Sequence, residues 1–299
     1  MSEVKSMTIE KTKGKAFNQY MILGGFLALV ILAALLLGPY LTPFDPNEMS
    51  VPNRLAAPSG SHWFGTDEFG RDLLSRIVYG GRVSLLVGFF VALISAVLGT
   101  ILGLYAGYYK WLDPIVMKLC DGLSAIPSIL LAITLMAALG ASVTNIIIVL
   151  SIVYTPSVAR IARGSVLQVK NLAFVEALKN QGASTFRVLF LNILPNILSP
   201  IIVQTFHIFA MAILSEASLS FLGVGIAPPT PSLGGILQAS KLYISKAWWL
   251  VVFPGATIVG LVFSFNIFGD GLRDYFDPQA KIVRRRKRPA KHKIQRKVG

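Results

Sequence analysis

Long stretches without charged side chains divide this chain. Residues 20–41, 83–109, 122–159 and 247–269 contain no Asp, Glu, Lys or Arg, and residues 195–222 contain one acidic residue. A helix needs about 20 apolar residues to cross the hydrocarbon core of a bilayer, which is about 30 Å thick. Lipid offers no hydrogen bonds to an open backbone, so apolar runs of this length must be helical. The pattern predicts membrane-spanning helices.

The run 122–159 is too long for one span. Small and polar residues interrupt it at 140–145, a signal for a turn, so we divide it into two spans. The predicted fold is an all-α integral membrane protein with about six transmembrane helices. The predicted divisions are an N-terminal segment 1–19, a first helix 20–41, a loop 42–82, a five-helix core 83–272 and a tail 273–299.

Composition supports a membrane protein and excludes several other classes. Hydrophobic residues make up 54% of the chain, charged residues 14%, and the mean hydropathy is +0.65. A single cysteine, Cys120, excludes an internal disulfide, and three scattered histidines suggest no metal site. The first apolar run is too long for the core of a signal peptide, so we predict that it is retained as a helix.

The net charge of +14 raises the possibility of nucleic-acid binding, but the positions of the cations favour a different explanation. Short cytoplasmic loops of membrane proteins accumulate Lys and Arg. With the N-terminus inside, the outer loops 42–82, 140–145 and 223–246 hold only six of the 28 cations. The remaining 22 then lie inside, so we predict that both termini are cytoplasmic and that the chain has no nucleic-acid partner.

The predicted cytoplasmic loop at about 172–195 is unusually long and partly apolar. It lies within the sequence NLAFVEALKNQGASTFRVLFLNILPNI. Its first part suggests a short amphipathic helix, Gly182 permits a turn with positive φ, and Ser184 is a candidate N-cap of a second helix. Pro195 is expected at the first turn of the next span, where a missing N–H is tolerated.

This loop resembles the EAA loop of ABC-importer permeases. The matching residues are Glu176, Ala177, Gly182, Leu194 and Pro195. The loop departs from the pattern at Leu178, where a second Ala is usual, and at Asn192, where a branched apolar residue is common. The resemblance implies a type I ABC-importer fold and a coupling helix that contacts a cytoplasmic ATPase. The alternative is an amphipathic helix lying on the inner leaflet.

Three further stretches resemble the C-type permease subunits of dipeptide, oligopeptide and nickel importers. They are HWFGTDEFGRDLLSRIVYGGRVSLLVG at 62–88, LSEASLSFLGVGIAPPTPSLGGIL at 214–237 and GDGLRDYFDP at 269–278. The resemblance implies a multi-pass protein of the bacterial plasma or inner membrane. The implied partners are a B-type permease, two ABC ATPases, an extracytoplasmic solute-binding protein, a peptide substrate and membrane lipids.

The chain lacks a GxxxxGK[ST] phosphate loop, so we expect no cofactor in it, with ATP and Mg²⁺ bound by the partner ATPases. The resemblance favours peptide import, with nickel or another small solute as the alternative cargo. An ion-coupled secondary transporter is a rival, but no internal repeat supports it. A membrane enzyme is a second rival, and no constellation of candidate catalytic residues supports that.

The outer-loop motif GTDEFGRD combines two glycines with four charged residues. Two interpretations remain open: a contact surface for the binding protein or an outer gate, or a turn that satisfies its own ion pairs and braces the second span. The candidate residues are Gly65, Thr66, Asp67, Gly70, Arg71 and Asp72.

Ionisable residues within spans are candidates for function because an unpaired charge in the bilayer is unfavourable. Glu216 has no partner nearby in sequence, so we expect Glu216 and Ser220 at the translocation pathway or at the interface with the second permease, or Glu216 as a helix-end anchor. Asp121 lies three residues after Lys118, which suggests an ion pair. The basic tail 284–297 is expected to lie at the inner leaflet.

Overall fold

The computed structural model describes residues 19–276, and within that range it is helical with no β-strand. The basic tail and most of the N-terminal segment lie outside the described residues. The helices are α1 (Gln19–Leu41), α2 (Leu73–Tyr108), α3 (Leu112–Ala125), α4 (Ser128–Leu139), α5 (Val143–Val169), α6 (Ala173–Asn180), α7 (Leu194–Phe221), α8 (Leu233–Ser240) and α9 (Trp249–Phe276), with a 3₁₀ turn at Val51–Asn53 and a π-helix at Arg187–Ile193.

Five helices are long and apolar enough to cross a bilayer: α1, α2, α5, α9, and α7 together with the π-helix before it. A sixth crossing requires α3 and α4 to count as one span, although the two helices are bent by 88° relative to each other. The prediction of about six apolar helices is confirmed. The prediction of a third span beginning at residue 122 is wrong, because a helix already begins at Leu112 and breaks before Pro127, which disfavours helical geometry in the residue before it.

Helix α2 begins ten residues before the predicted start of the second span, so the predicted loop 42–82 ends in helix. The Asp72 carboxylate caps this helix by accepting a hydrogen bond from the Ser75 backbone N–H at 2.8 Å. The first turns of α2 contain Arg76 and Arg82, which the search for uncharged runs left out. Helix α5 likewise continues to Val169, past the predicted end at residue 159.

A stripe of glycines brings α2 and α5 into close contact. Gly99, Gly103 and Gly107 face α5, and a Cβ atom at Gly103 would lie 2.5 Å from the Ala159 carbonyl oxygen and 2.5 Å from the Ala162 Cβ. Small residues spaced by four permit helix backbones in membranes to approach closely. The sequence GTILGLYAG contains this spacing, and the close contact was not predicted from it.

Glycines also permit α1 to pack closely against α9 and α2. A Cβ atom at Gly24 would lie 2.5 Å from the Phe268 nitrogen in α9, and one at Gly81 of α2 would lie 2.6 Å from the Leu35 side chain. One buried apolar cluster joins α2, α4, α5 and α7, and a second joins α1, α2, α7, α8 and α9. Large apolar side chains are also exposed on the outside of the bundle, as expected where lipid is the solvent.

Two candidate regions lie at opposite ends of α2. The GTDEFGRD loop leads directly into the first residue of α2 and contacts the start of α9, because the Trp249 indole N–H donates to the Thr66 carbonyl oxygen at 3.2 Å. At the other end, Lys170 after α5 donates a hydrogen bond to the Gly107 carbonyl oxygen at 2.6 Å. The predicted coupling loop follows Lys170 in sequence.

Candidate functional site

The predicted amphipathic helix of the coupling loop is α6, and its apolar face is anchored on the bundle. Val175 is fully buried in the core cluster of α2, α5 and α7, and Leu178 packs against the same cluster. The Lys179 ammonium lies 5.0 Å from the centroid of the Tyr108 ring at the end of α2, a cation–π distance. These contacts fix the orientation of an eight-residue helix that would not be stable alone.

The opposite face of α6 is open. Glu176 and Ala177 are exposed, and the Glu176 carboxylate forms no hydrogen bond or ion pair with any residue in the range 19–276. Gly182 ends this helix with φ of +73°, as predicted. The Gly182 N–H donates to Lys179 O and the Ala183 N–H donates to Leu178 O, each at 3.0 Å, which is the pattern of a Schellman motif.

A second helix follows the turn, as predicted, but it does not stop before the next span. The Ser184 hydroxyl accepts a hydrogen bond from the Arg187 N–H at 3.4 Å, so Ser184 acts as the predicted cap. The helix then passes through the π-helix directly into α7. Pro195 is therefore inside a continuous helix and does not begin the span, which corrects the prediction.

The wide turns of the π-helix explain how Pro195 is accommodated. A proline within an α-helix clashes with the carbonyl group four residues earlier, and inserted π turns are one of the irregularities that accompany such sites. The Asn192 side chain donates a hydrogen bond of 2.7 Å to the Arg187 carbonyl oxygen within this segment. Leu194 is partly buried against the core, whereas Pro195 is exposed.

The GTDEFGRD loop folds around the carboxylate of Asp67, which is only 2% exposed. This carboxylate accepts hydrogen bonds from the backbone N–H groups of Phe69 and Arg71, at 2.9 and 3.0 Å, and from the Arg71 Nε at 2.6 Å. The Arg76 Nε lies 3.4 Å from it, and the Arg71 guanidinium also lies 3.4 Å from Glu68. The loop satisfies its own charges.

Backbone geometry explains the two glycines of this loop. Gly65 and Gly70 have φ of +77° and +75°, and a Cβ atom at Gly70 would lie 1.9 Å from the Ser50 carbonyl oxygen. Thr66 is fully buried, and its hydroxyl donates to the Asn53 carbonyl oxygen and accepts from the Ala56 N–H at 2.8 Å. These contacts hold residues 50–56 against the GTDEFGRD motif.

Asp72 connects the loop to α2 through both of its carboxylate oxygens. One caps α2, and the other lies 2.9 Å from the Nδ1 of the buried His62. Of the six predicted residues of this loop, five are buried and Arg71 is partly buried. The structure therefore favours the interpretation in which the loop braces α2. Exposed surface at the loop comes instead from Trp63 and Phe69, which are 65% and 49% exposed.

Glu216 lies in the interior of the bundle with two hydroxyl partners. Its carboxylate accepts hydrogen bonds from Ser84 of α2 at 2.6 Å and from Ser220, one turn later in α7, at 2.9 Å. Ser220 also accepts from the Ile226 N–H at 3.2 Å. The expectation that Glu216 has no partner nearby in sequence is wrong, because Ser220 is four residues away; the other partner, Ser84, is 132 residues away.

The burial of Glu216 also bears on its predicted role. Glu216 is fully buried and Ser220 is 3% exposed, so neither lines an open pathway or an exposed face of the chain in this conformation. The two residues instead tie α2, α7 and the turn after α7 together. A role of Glu216 and Ser220 at the translocation pathway or at the permease interface stays a prediction.

Two ion pairs connect α3 to α5, and neither was predicted from the sequence. Arg163 donates two hydrogen bonds to Asp113, at 2.5 and 2.6 Å. Asp121 lies 3.4 Å from the Arg160 guanidinium, so the predicted pairing with Lys118 is corrected. Both pairs join residues about 40 to 50 positions apart, which no local spacing rule can detect.

Comparison with known proteins gives consistent matches over most of the chain. Residues 82–282 match the family described as "Binding-protein-dependent transport system inner membrane component". The chain is 44% identical to the dipeptide transport system permease protein DppC of Alkalihalophilus pseudofirmus over 265 residues, covering 88% of this chain and 87% of that protein. It is 42% identical to the di/tripeptide permease protein DppC of Pseudomonas aeruginosa over 267 residues, with 87% and 88% covered.

A related protein with a different named cargo is the glutathione transport system permease protein GsiD of Pectobacterium atrosepticum, which is 40% identical over 262 residues, with 87% of each chain covered. Among solved structures, the inward-facing MetNI methionine ABC transporter matches with a TM-score of 0.56 at 19% identity. That match covers 68% of this chain and 97% of the other. At this identity the likeness shows a shared fold only.

Proposed function

Because this chain belongs to the family of binding-protein-dependent transport system inner membrane components, we propose that it is the C-type permease subunit of an ABC importer that carries peptides. It is an integral protein of the bacterial inner membrane. Support for peptide cargo comes from relatives of at least 40% identity that are named for dipeptides, di- and tripeptides and glutathione, a tripeptide. The substrate crosses the membrane without a chemical reaction in this chain.

The proposed assembly contains a B-type permease beside this chain, two cytoplasmic ABC ATPases and an extracytoplasmic solute-binding protein. The observation that carries the proposal is that α6 has one buried face and one exposed face. Val175 anchors one side on the bundle, while Glu176 and Ala177 on the other side are exposed and the Glu176 carboxylate has no partner within residues 19–276. An exposed carboxylate on a rigid helix suits a charged groove of an ATPase.

The connection from α6 to α7 suggests how ATP binding drives the helices. The turn at Gly182 leads into a helix that is continuous to Phe221. A displacement of α6 by closing ATPases therefore reaches α7 with only one turn between them. Changing the population of two permease states from 1:99 to 99:1 requires about 5.5 kcal/mol of differential binding, which two ATP-closed interfaces can supply.

Substitutions at the open face test this coupling role. We expect Glu176→Lys to abolish uptake of a labelled dipeptide and to uncouple ATPase stimulation by the loaded binding protein, with membrane insertion unchanged. Gly182→Ala is expected to do the same, because it opposes a left-handed backbone by about 1–2 kcal/mol. Lys110→Gln, an exposed charge in the neighbouring α2–α3 loop, is the control. Normal uptake in both variants would contradict the coupling role.

Cargo is tested separately from coupling. In membranes containing the complete complex, uptake of labelled dipeptide should depend on ATP hydrolysis and should fall when unlabelled di- and tripeptides compete. Competition by Ni²⁺ alone, without competition by peptides, would support the alternative cargo. Uptake that follows an ion gradient and continues without ATP hydrolysis would exclude an ABC importer altogether.

A further inference from the structure

An apolar groove runs along the outside of the bundle between α1, α2 and α7. Its volume is about 840 Å³, within the range of about 300–1,000 Å³ that is usual for small-molecule sites. Leu36 of α1 and Leu86, Phe89 and Leu93 of α2 line it, and each of these side chains is 45–55% exposed. Phe209 of α7 forms part of the floor.

The groove extends along α2 from Tyr79 to Leu93. At 1.5 Å per residue this length is about 21 Å, while one leaflet contributes about half of the 30 Å hydrocarbon core. The lining therefore spans the acyl-chain region of one leaflet and reaches beyond it. Its polar end holds Arg82, which directly precedes the uncharged run 83–109. Arg82 and Tyr79 thus lie at the level where cationic and aromatic side chains meet lipid headgroups.

Arg82 differs from the other arginines at this end of α2. Arg71 and Arg76 both pair with the buried carboxylate of Asp67. Arg82 is exposed, and across residues 19–276 its guanidinium forms no ion pair or hydrogen bond. Its guanidinium carbon lies 6.0 Å from the centroid of the Tyr79 ring. All of its N–H donors are therefore available to an anion, and guanidinium groups bind phosphate in a bidentate manner.

We propose that this groove binds one phospholipid, with the lipid phosphate on Arg82 and the acyl chains along Leu86, Phe89 and Leu93. A cation at the headgroup level above a mostly apolar channel matches the two chemical parts of that ligand. A transmembrane helix of another subunit is the competing occupant. It would leave the Arg82 guanidinium without a counter-charge unless that helix also placed a carboxylate there.

Lipid titration tests the proposal on the full-length chain purified with its copurifying subunits. The complex is delipidated in detergent and titrated with palmitoyl-oleoyl phosphatidylglycerol, and bound lipid is counted by native mass spectrometry. We expect Arg82→Gln to weaken the tightest site by about tenfold, because a charge-assisted bidentate contact is lost. Leu86→Trp should weaken it as well, because the larger ring fills the channel while Arg82 is kept.

Two control substitutions outside the groove show whether the loss of lipid binding comes from the groove itself or from any loss of charge or gain of side-chain volume. Arg54→Gln removes an exposed arginine outside the groove, and Leu98→Trp enlarges an exposed leucine of α2 that does not line it. Both controls should bind lipid as the wild type does. Unchanged lipid binding in Arg82→Gln and Leu86→Trp would overturn the proposal.

Crosslinking identifies the occupant directly. A photoreactive amino acid is placed at Leu86 in membranes of the complete complex. An adduct with phospholipid supports the proposal, whereas an adduct with another subunit would show that the groove is a protein interface and would overturn it. Neither result depends on peptide transport, so the outcome is independent of the proposed function.

Discussion

The glycine stripe on α2 leads to a quantitative prediction about Gly103→Ala. The new methyl group would lie 2.5 Å from both the Ala159 carbonyl oxygen and the Ala162 Cβ. Carbon atoms in favourable contact are about 3.5–4.0 Å apart, so α2 and α5 must separate locally by about 1 Å. The obstructing oxygen belongs to the backbone and cannot move away by a change of rotamer. Overpacking of this kind destabilises proteins by about 1–3 kcal/mol.

The control for this substitution is Gly164→Ala in α5. A methyl group at Gly164 meets no atom within 4 Å, and replacing Gly by Ala in a helix is intrinsically favourable by about 0.8–1.0 kcal/mol. The two variants make the same chemical change in the same helix pair, so they differ only in the space available. We expect Gly103→Ala to lower the melting temperature of the purified complex by several degrees and Gly164→Ala to leave it unchanged or raised.

Thermal unfolding followed by tryptophan fluorescence, with gel filtration to confirm assembly, measures this difference. If Gly103→Ala melted at or above the temperature of Gly164→Ala, the close approach of α2 and α5 would not be a tightly packed contact. The glycine spacing would then not explain how α2 packs on α5.

The other predictions concern the polar clusters and the tail. Asp67→Asn should destabilise the chain by about 3–5 kcal/mol, because two arginines lose a buried counter-charge, while Glu68→Gln at the partly exposed neighbour should change the melting temperature little. The Glu216→Leu variant should be less stable than the Glu216→Gln variant by about 1–3 kcal/mol. Leucine leaves the two buried serine hydroxyls without an acceptor, whereas the side-chain oxygen of glutamine can still accept a hydrogen bond from one of them. Equal melting temperatures of the two Glu216 variants would contradict that pairing. Truncation after Pro278 should leave dipeptide uptake largely intact, and complete loss of uptake in a correctly inserted truncation would show that the basic tail is required.

Much of the coupling loop was predictable because its signals are local. The apolar spacing around Val175, the positive φ of Gly182 and the cap at Ser184 each depend on a few neighbouring residues, and all three are found. Pro195 was predicted less well. A proline normally marks the start of a helix, and only the π-helix before it permits the helix to continue.

The boundaries of the spans were predicted less accurately from the sequence than their number. The search for uncharged runs placed the start of α2 at residue 83, since Arg76 and Arg82 interrupt the apolar pattern. In the fold Arg76 is buried beside Asp67, so its charge is compensated within the chain and the helix begins at Leu73. The third span was misplaced for a similar reason, because α3 contains charged residues that pair with α5.

The sequence by itself determined the class of protein and the approximate number of apolar crossings, because lipid requires every spanning segment to be apolar and helical whatever surrounds it. It also determined the local shape of the loop around Glu176. Only the tertiary structure decided which polar groups meet. One partner of Glu216, Ser84, is 132 residues away, and the counter-charge of Arg76 comes from Asp67 in the preceding loop. Pairings of this kind depend on how the helices pack, and no spacing along the chain encodes them.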